Sequence, residues 1–334
     1  MKFDTNSSIL EKKCLNKVLY VAMHYDYGRQ EQGTSFEFHN FYLTLKRMFP
    51  EVIEFDFATV LQQVGKDRMN ELLLETAARV GPDLVFCVLF TDELTPSTIS
   101  KLSETYTTFN WFCDDHWRFN SFSRHYAPYF TFVSTTDAHA LAKYEAIGYR
   151  TTLLTQWACN HFSYRKQPDV VRTIDVSFVG QPHGNRRSWI EYLRKSCVEV
   201  QAYGQGWPNG RIAQDQMIRI FNASQINLNL SNSSMNIHTL LRRQEQIKGR
   251  NFEIPGCGGF LLTNYVSHLE EFYEFGKEIV CFENKRDLLQ KVRYYLSHED
   301  EREEIARRGF ERTCHEHTYE KRFQTLFKSM GLEL

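Results

Sequence analysis

Two doubly wound α/β domains, each on a parallel sheet, are what this sequence predicts, and three observations carry the prediction. A chain of 334 residues is long for a single hydrophobic core, so two domains are the starting expectation. Short apolar runs alternate with helical patterns, as buried parallel strands and their crossover helices do. The alternation stops over residues 163–172, a polar stretch containing Pro168, and then begins again. The expected division is an N-terminal domain over 1–165, a C-terminal domain over 166–316 and a closing helical segment over 317–334.

The first half opens on Lys17-Val18-Leu19-Tyr20-Val21-Ala22-Met23, an apolar run suited to a strand covered on both faces. A polar loop (24–34) and a helical pattern (35–48) follow. Residues 52–57 alternate as a strand, and one long helix is expected over 59–80. Residues 83–90 form the next strand, and Pro96 suits the first turn of another helix. Further strands are expected at 109–113, leading into Asp114-Asp115-His116, and at 129–134. After the break the expected strands are 174–180, 198–203, 225–231, 260–263 and 278–282. The intervening helices are 187–197, 212–223, a short one around Pro255 and 266–275, with helices from there to the end. The mixed charges of 299–312 read as a solvated helix with paired charges.

Composition narrows the function. Hydrophobic residues make up 42% of the chain and charged residues 24%, which excludes wholesale disorder. The net charge of −1 disfavours a nucleic-acid or anionic-membrane partner, so attraction for a phosphorylated ligand must come from a local cluster. The first sixteen residues hold no apolar segment of signal-peptide length, and no run approaches the ~18 apolar residues of an integral membrane span. Eight cysteines without a Cys-x-x-Cys pair read as reduced thiols of a cytoplasmic protein.

In open doubly wound sheets, ligands bind beyond the carboxyl ends of the strands. That rule selects Gly180 to Arg187, Tyr203-Gly204-Gln205-Gly206-Trp207, the loop from Ser231 onward and the stretch before Pro255 in the second domain. In the first it selects His24 to Gly28 and Asp114-Asp115-His116. The most informative segment runs from Glu245 to Gly259. Pro255 fits only the first turn of a helix, which places the start at about Phe252 or Glu253. Backbone N–H groups from Arg250 to Glu253 would then form a phosphate site, with Lys248 and Arg250 adding two charges. A diphosphate can be held this way without a metal ion, and the chain contains no Asp-x-Asp to hold a divalent cation. Glu253 can accept hydrogen bonds from a ribose diol. The alternative is a solvated basic turn before a short helix.

The segment Lys248-Gly249-Arg250-Asn251-Phe252-Glu253 followed by Cys257-Gly258-Gly259-Phe260-Leu261-Leu262-Thr263 resembles the CgeB-like, spore-maturation-type glycosyltransferases. The resemblance continues through Phe178-Val179-Gly180, Tyr203-Gly204-Gln205-Gly206-Trp207-Pro208, Leu228-Asn229-Leu230-Ser231, Tyr294-Tyr295-Leu296, Glu301-Arg302 and His317-Thr318-Tyr319. In the first half, Trp111-Phe112-Cys113-Asp114-Asp115 is similar. The resemblance implies a GT-B fold, with donor in the C-terminal domain, acceptor in the N-terminal domain and a last helix crossing back. It also implies a nucleotide-diphosphate sugar as co-substrate, with Glu245 and Glu253 at the spacing of the paired glutamates of retaining GT-B enzymes.

Other candidates carry two readings each. Arg186 and Arg187 are either a second diphosphate contact or a helix start. Tyr203 and Trp207 either line a base or sugar pocket or pack their loop. Gly180, Gly204, Asn251 and Ser231 lie where a donor would be approached. Asp115 and His116 are candidates for a general base, with Asp114, His24 and Asp26 on the acceptor side or capping loops. Cys314-His315-Glu316-His317 lacks a second ligand pair and reads as a helix boundary, not a metal site. The expected activity is metal-independent transfer of a sugar, with retention the favoured course, to a hydroxyl of a glycan, lipid-linked, protein or small-molecule acceptor. The rivals are a nucleotide-sugar epimerase or hydrolase and a catalytically decayed nucleotide-binding protein.

Overall fold

The computed structural model describes residues 13–231 and 245–333. The chain separates into two compact units. The first comprises Met1–Thr155 with Glu320–Leu334, and the second is Gln156–Tyr319.

Strands β1 (Lys13–Cys14), β2 (Lys17–Ala22), β3 (Glu51–Asp56), β4 (Leu84–Cys87), β5 (Thr107–Phe112), β6 (Phe132–Thr135) and β7 (Thr152–Leu154) belong to the first unit. Six of them form a parallel sheet in the order β3-β2-β4-β5-β6-β7. The apolar run of β2 sits at zero to one per cent exposure from Val18 to Ala22, as a strand covered on both faces requires. One face packs on Leu19, Val21, Val85, Met69 and Leu73. On the other, Phe323 of the Tyr319–Ser329 helix lies edge-on to Phe41, Phe86 and Trp111, at ring separations of 5.7, 5.5 and 6.3 Å. The last helix therefore completes the core of the N-terminal sheet.

Local chemistry sets the helix boundaries. Asp56 accepts from the backbone of Ala58 and Thr59 at 3.1 and 3.3 Å, and Thr95 caps the Pro96–Thr105 helix by accepting from Thr98 at 3.1 Å. The single long helix expected over 59–80 is instead two, Phe57–Val64 and Lys66–Val80. Gly65 between them, at φ 80°, adopts the left-handed backbone that glycine tolerates and ends the first helix.

The second unit holds β8 (Ile174–Val179), β9 (Val200–Tyr203), β10 (Ser224–Asn229), β11 (Leu261–Asn264) and β12 (Val280–Phe282), parallel throughout and ordered β12-β11-β10-β8-β9. Its core gathers Val176, Phe178, Ile190, Leu193, Ile226, Leu228, Leu262 and Leu288. The helix expected over 266–275 is only the single turn Leu269–Glu271, because His268 before it takes a left-handed φ of 72°. The Glu299–Glu316 helix carries the anticipated charge pairs, among them Arg307–Glu311 and Arg308–Glu304, each at 2.6 Å. The short strand β13 (Leu332–Glu333) pairs with β1. Among the described residues no helix is long and apolar enough to cross a membrane, and all eight cysteines are free.

Candidate functional site

The carboxyl edge of the second sheet is assembled from three loops. After β8, Gly180 donates its N–H to the Tyr203 carbonyl at 2.8 Å. Its own carbonyl accepts from Trp207 Nε1 at 2.8 Å. A Cβ at Gly204, where φ is 131°, would come within 2.6 Å of the Gly180 oxygen, so only glycine lets these loops close on each other. Trp207 is 5% exposed and lies edge-on to Phe178 at 6.0 Å, which makes it a core residue and not a pocket wall. Tyr203 is half-buried and donates to Gln201 at 2.7 Å.

The Arg186–Lys195 helix begins at this edge. Arg186 is 8% exposed, donates to the Gln181 carbonyl at 3.0 Å and lies 5.9 Å from the Phe178 ring. Burial, with Arg250 nearby, pushes its guanidinium down to about 10. His183 is lowered by desolvation and by Arg186 and Lys248. Four cationic or potentially cationic groups, Arg186, His183, Lys248 and Arg250, thus act on one another at one edge. Arg187 turns away, bonding the Gly206 carbonyl at 2.9 Å and stacking over Trp207 at 5.0 Å.

The Arg250–Gly256 helix supplies the rest. It starts two residues earlier than Pro255 suggested, and Pro255 lies near its end, where a seven-residue helix has few carbonyls left to serve. The expected row of backbone donors is not available. The N–H groups of Asn251, Phe252 and Glu253 already donate to the Lys248 and Gly249 carbonyls at 2.9 Å. The positive charge at this edge is carried by side chains.

Glu253 is fully buried and accepts from Tyr164 Oη at 2.8 Å and from the Arg250 guanidinium. Burial pulls Arg250 down, but Glu253 and Tyr164 outweigh it and hold the group above its ordinary value. Asn251 and Ser231, both at zero exposure, belong to a buried polar network. Asn251 Oδ1 accepts from the Lys248 N–H at 2.9 Å and from Asn229 at 3.1 Å, and Asn229 also donates to Ser231 at 3.2 Å. These residues fix the loop that carries Lys248. Glu245 lines a cavity of about 770 Å³ with Leu230, Asn264, Tyr265 and Phe282, at the carboxyl ends of β10, β11 and β12. The loop beyond Ser231 lies outside the described residues.

The carboxyl edge of the first sheet has the opposite character. His24, just past β2, holds Glu54 of β3 through Nδ1 at 2.8 Å. Its ring sits 4.2 Å from Phe38 and 4.5 Å from Tyr25. Burial pushes Glu54 up, partly offset by His24. Glu37 is pushed up to about 7 by burial, with Asp26 and Asp114 adding to it. Asp115 is 1% exposed and accepts from Tyr144 at 2.8 Å, an internal acceptor in the core of the unit. His116 and Asp114 are half-buried, and the Asp114 carbonyl accepts from Trp117 and Arg118 at the start of the short helix there. Sequence reasoning missed Glu37, Glu54, His183 and Tyr164. The signal for His183 was available, since it lies in the loop the carboxyl-edge rule selected.

Exposed aromatics flank this edge. Tyr27 is 50% exposed and Phe90 40% exposed, with their rings edge-on at 5.8 Å. Arg118 lies 5.9 Å from the Phe90 ring and 4.3 Å from Phe122. Tyr27 takes a positive φ of 53°, a conformation costly for a bulky side chain. Among the described residues no group of three or more His, Cys, Asp or Glu side chains is arranged to hold a metal ion.

Comparison with solved structures places this architecture. The structure of Anabaena Alr3699/HepE in complex with UDP and glucose aligns over 94% of this chain and 99% of its own, with a TM-score of 0.64 and 12% identity. The sucrose-phosphate synthase (tll1590) of Thermosynechococcus elongatus aligns over 95% and 97%, with a TM-score of 0.63 and 11% identity. The fold is GT-B. At these identities the likeness concerns the fold alone. Within the GT-B chain, residues 185–328 match the glycosyl transferase-like family. The spore protein CgeB of Bacillus subtilis (strain 168) is 20% identical over 209 residues, covering 57% of this chain and 64% of that protein, so the chain spans under two thirds of that relative. The matched segment holds Arg186, Lys248 and Arg250, and Glu253, the carboxylate paired with Arg250.

Proposed function

We propose that this protein transfers a glycosyl group from a nucleotide-diphosphate sugar to an acceptor hydroxyl without a metal ion. The observation that carries the reading is the gathering of Arg186, His183, Lys248 and Arg250 at one carboxyl edge, where burial and then neighbouring cations disfavour the charged forms of His183 and Arg186. A diphosphate relieves that repulsion, and the same cations stabilise the negative charge that builds on it as the glycosidic bond breaks. In this reading Glu253 receives the ribose hydroxyls, as its buried carboxylate is positioned by Tyr164 and Arg250 before any ligand arrives.

Relatives in fold support the donor class, since Alr3699/HepE is described with UDP-glucose. The acceptor belongs on the first unit, where Tyr27, Phe90 and Arg118 present faces on which a sugar ring stacks. Unpaired thiols suit a reducing compartment, and we assign the protein to the cytoplasm. Two stereochemical courses fit the donor edge. Retention would have the departing phosphate take the acceptor proton beside the Glu245 and Glu253 pair, and inversion would use a base on the first unit.

A thermal-shift panel of nucleoside diphosphates and nucleotide sugars in EDTA, with Lys248→Ala and Glu253→Ala alongside, tests the donor site. Stabilisation of the wild type by one nucleotide, lost in both variants, is the expected result. A panel in which nothing binds at millimolar concentration overturns the assignment. Consumption of the donor without any acceptor product would favour the epimerase or hydrolase reading, and binding without turnover the decayed one.

A further inference from the structure

The cavity of about 770 Å³ in the second unit has a size suited to a small organic ligand. Among the described residues, none of Arg186, His183, Lys248, Arg250 and Glu253 lines it, so it is a site apart from the cationic groups of the same unit. Its wall is rich in aromatics. Trp189 lies 5.3 Å from Phe282, Tyr265 lies 6.0 Å from Phe275, and Tyr295 joins them in the lining. Two of these side chains carry donors that make no hydrogen bond among the described residues, Trp189 Nε1 and the Tyr295 hydroxyl. Tyr295 is only 8% exposed, and a phenol so buried ordinarily has a partner. Burial raises it above its ordinary value, so it stays a neutral donor. Tyr265 is 44% exposed and leaves part of its ring uncovered.

Charge narrows the ligand class. Glu245 and Glu283 supply acceptors, while Lys291 is committed to the Asp287 carboxylate at 2.9 Å and to the Cys281 carbonyl at 2.7 Å. Burial pushes the Cys281 thiol up to about 12, so it adds no charge. A phosphate would therefore meet two carboxylates and a lysine that is already bonded. A quaternary ammonium would find the Trp189 ring taken, since Lys285 Nζ lies 6.0 Å from it. An uncharged ring bearing hydroxyls uses what is present. Its apolar face covers an aromatic side chain, and its hydroxyls donate to the carboxylates and accept from Trp189 and Tyr295. We propose that this cavity binds an uncharged pyranose sugar, separately from any nucleotide at the cationic edge. The site is for binding, and no bond is made or broken in it.

Saturation-transfer NMR with methyl glucoside, methyl mannoside and methyl galactoside at millimolar concentration tests the site, alone and with UDP or UDP-glucose added. At least one pyranoside is expected to bind and to stay bound when either nucleotide is present. Tyr295→Phe removes a single hydroxyl and should weaken that binding about 5- to 10-fold. It should melt no lower than the wild type, because the lost hydroxyl has no partner among the described residues. Tyr265→Ala, at an exposed ring, should weaken binding about 3- to 10-fold. Absence of binding by all three sugars, or unchanged affinity in both variants, overturns the proposal. Displacement by UDP-glucose but not by UDP would make the cavity the pocket of the donor's own sugar. Displacement by both would put the pyranoside at the nucleotide site, and either result overturns a separate site. Choline or glucose 6-phosphate binding more tightly than every pyranoside overturns the ligand class. The sugar titrations are read without nucleotide, so a wild type that fails to bind UDP overturns the donor site and leaves this test intact.

Discussion

The two units share a parallel-sheet plan and place their chemistry at the same edge, yet the edges are electrostatic opposites. In the second unit the crowded groups are cations, and burial with Arg250 nearby lowers Arg186 to about 10. In the first they are carboxylates, and burial with Asp26 and Asp114 raises Glu37 to about 7. Arg186 and Glu37 are each driven toward the neutral form by burial first and by neighbours of their own sign second, whereas Arg250 is held charged by Glu253. The difference teaches that the fold supplies the position and the loops supply the charge. In the proposed reading the cationic edge takes the diphosphate and the acidic edge the acceptor.

The sharpest way to break the contrast is to remove Arg250. Glu253 is fully buried and would lose the guanidinium that pairs with it, so Arg250→Ala should cost about 3–5 kcal/mol in urea unfolding and abolish nucleotide binding. Stability within about 0.5 kcal/mol of the wild type would show that the pair does not hold the site. Lys248 is the milder probe, because its side chain is half-buried. Lys248→Ala should weaken UDP binding about 10- to 100-fold with little loss of stability, and titration at rising salt should show a shallower slope than the wild type.

Glu37 sharpens the acidic side. Its folded pKa, about 7, lies above its unfolded value, so its contribution is fully present below the unfolded pKa and is lost as pH rises through 7. Glu37→Gln should therefore melt higher than the wild type at pH 8, with the gap closing toward pH 4. A pH-independent gap would contradict the assigned burial and crowding. The smallest effect is expected at Phe90, which is 40% exposed. Phe90→Ala should leave melting unchanged and raise KM for a sugar acceptor by several-fold, and an unchanged KM would remove the stacking face from the acceptor site.

Much of this was legible in the sequence where neighbours along the chain decide the outcome. The β2 run is apolar throughout because both its faces are covered, and Pro96 and Thr95 mark a helix start by local chemistry alone. Lys248 and Arg250 were visible because they are close in sequence. Partners set by tertiary contact were not visible. Glu54 meets His24 across thirty residues, and Tyr164 reaches Glu253 across eighty-nine. Trp207 carries both a pocket and a packing reading in the sequence, and its indole on the Gly180 carbonyl favours packing. The Gly65 break was missed because the apolar pattern runs on through it, and backbone conformation, not pattern, ends that helix.

The central claim is that the cationic edge, and not the acidic one, holds the nucleoside diphosphate. Calorimetric titration of UDP in EDTA into the wild type, Lys248→Ala and His24→Gln tests it most directly. The account predicts metal-free binding to the wild type, the same affinity in His24→Gln and a loss in Lys248→Ala. Equal affinity in Lys248→Ala, or a loss confined to His24→Gln, would contradict it.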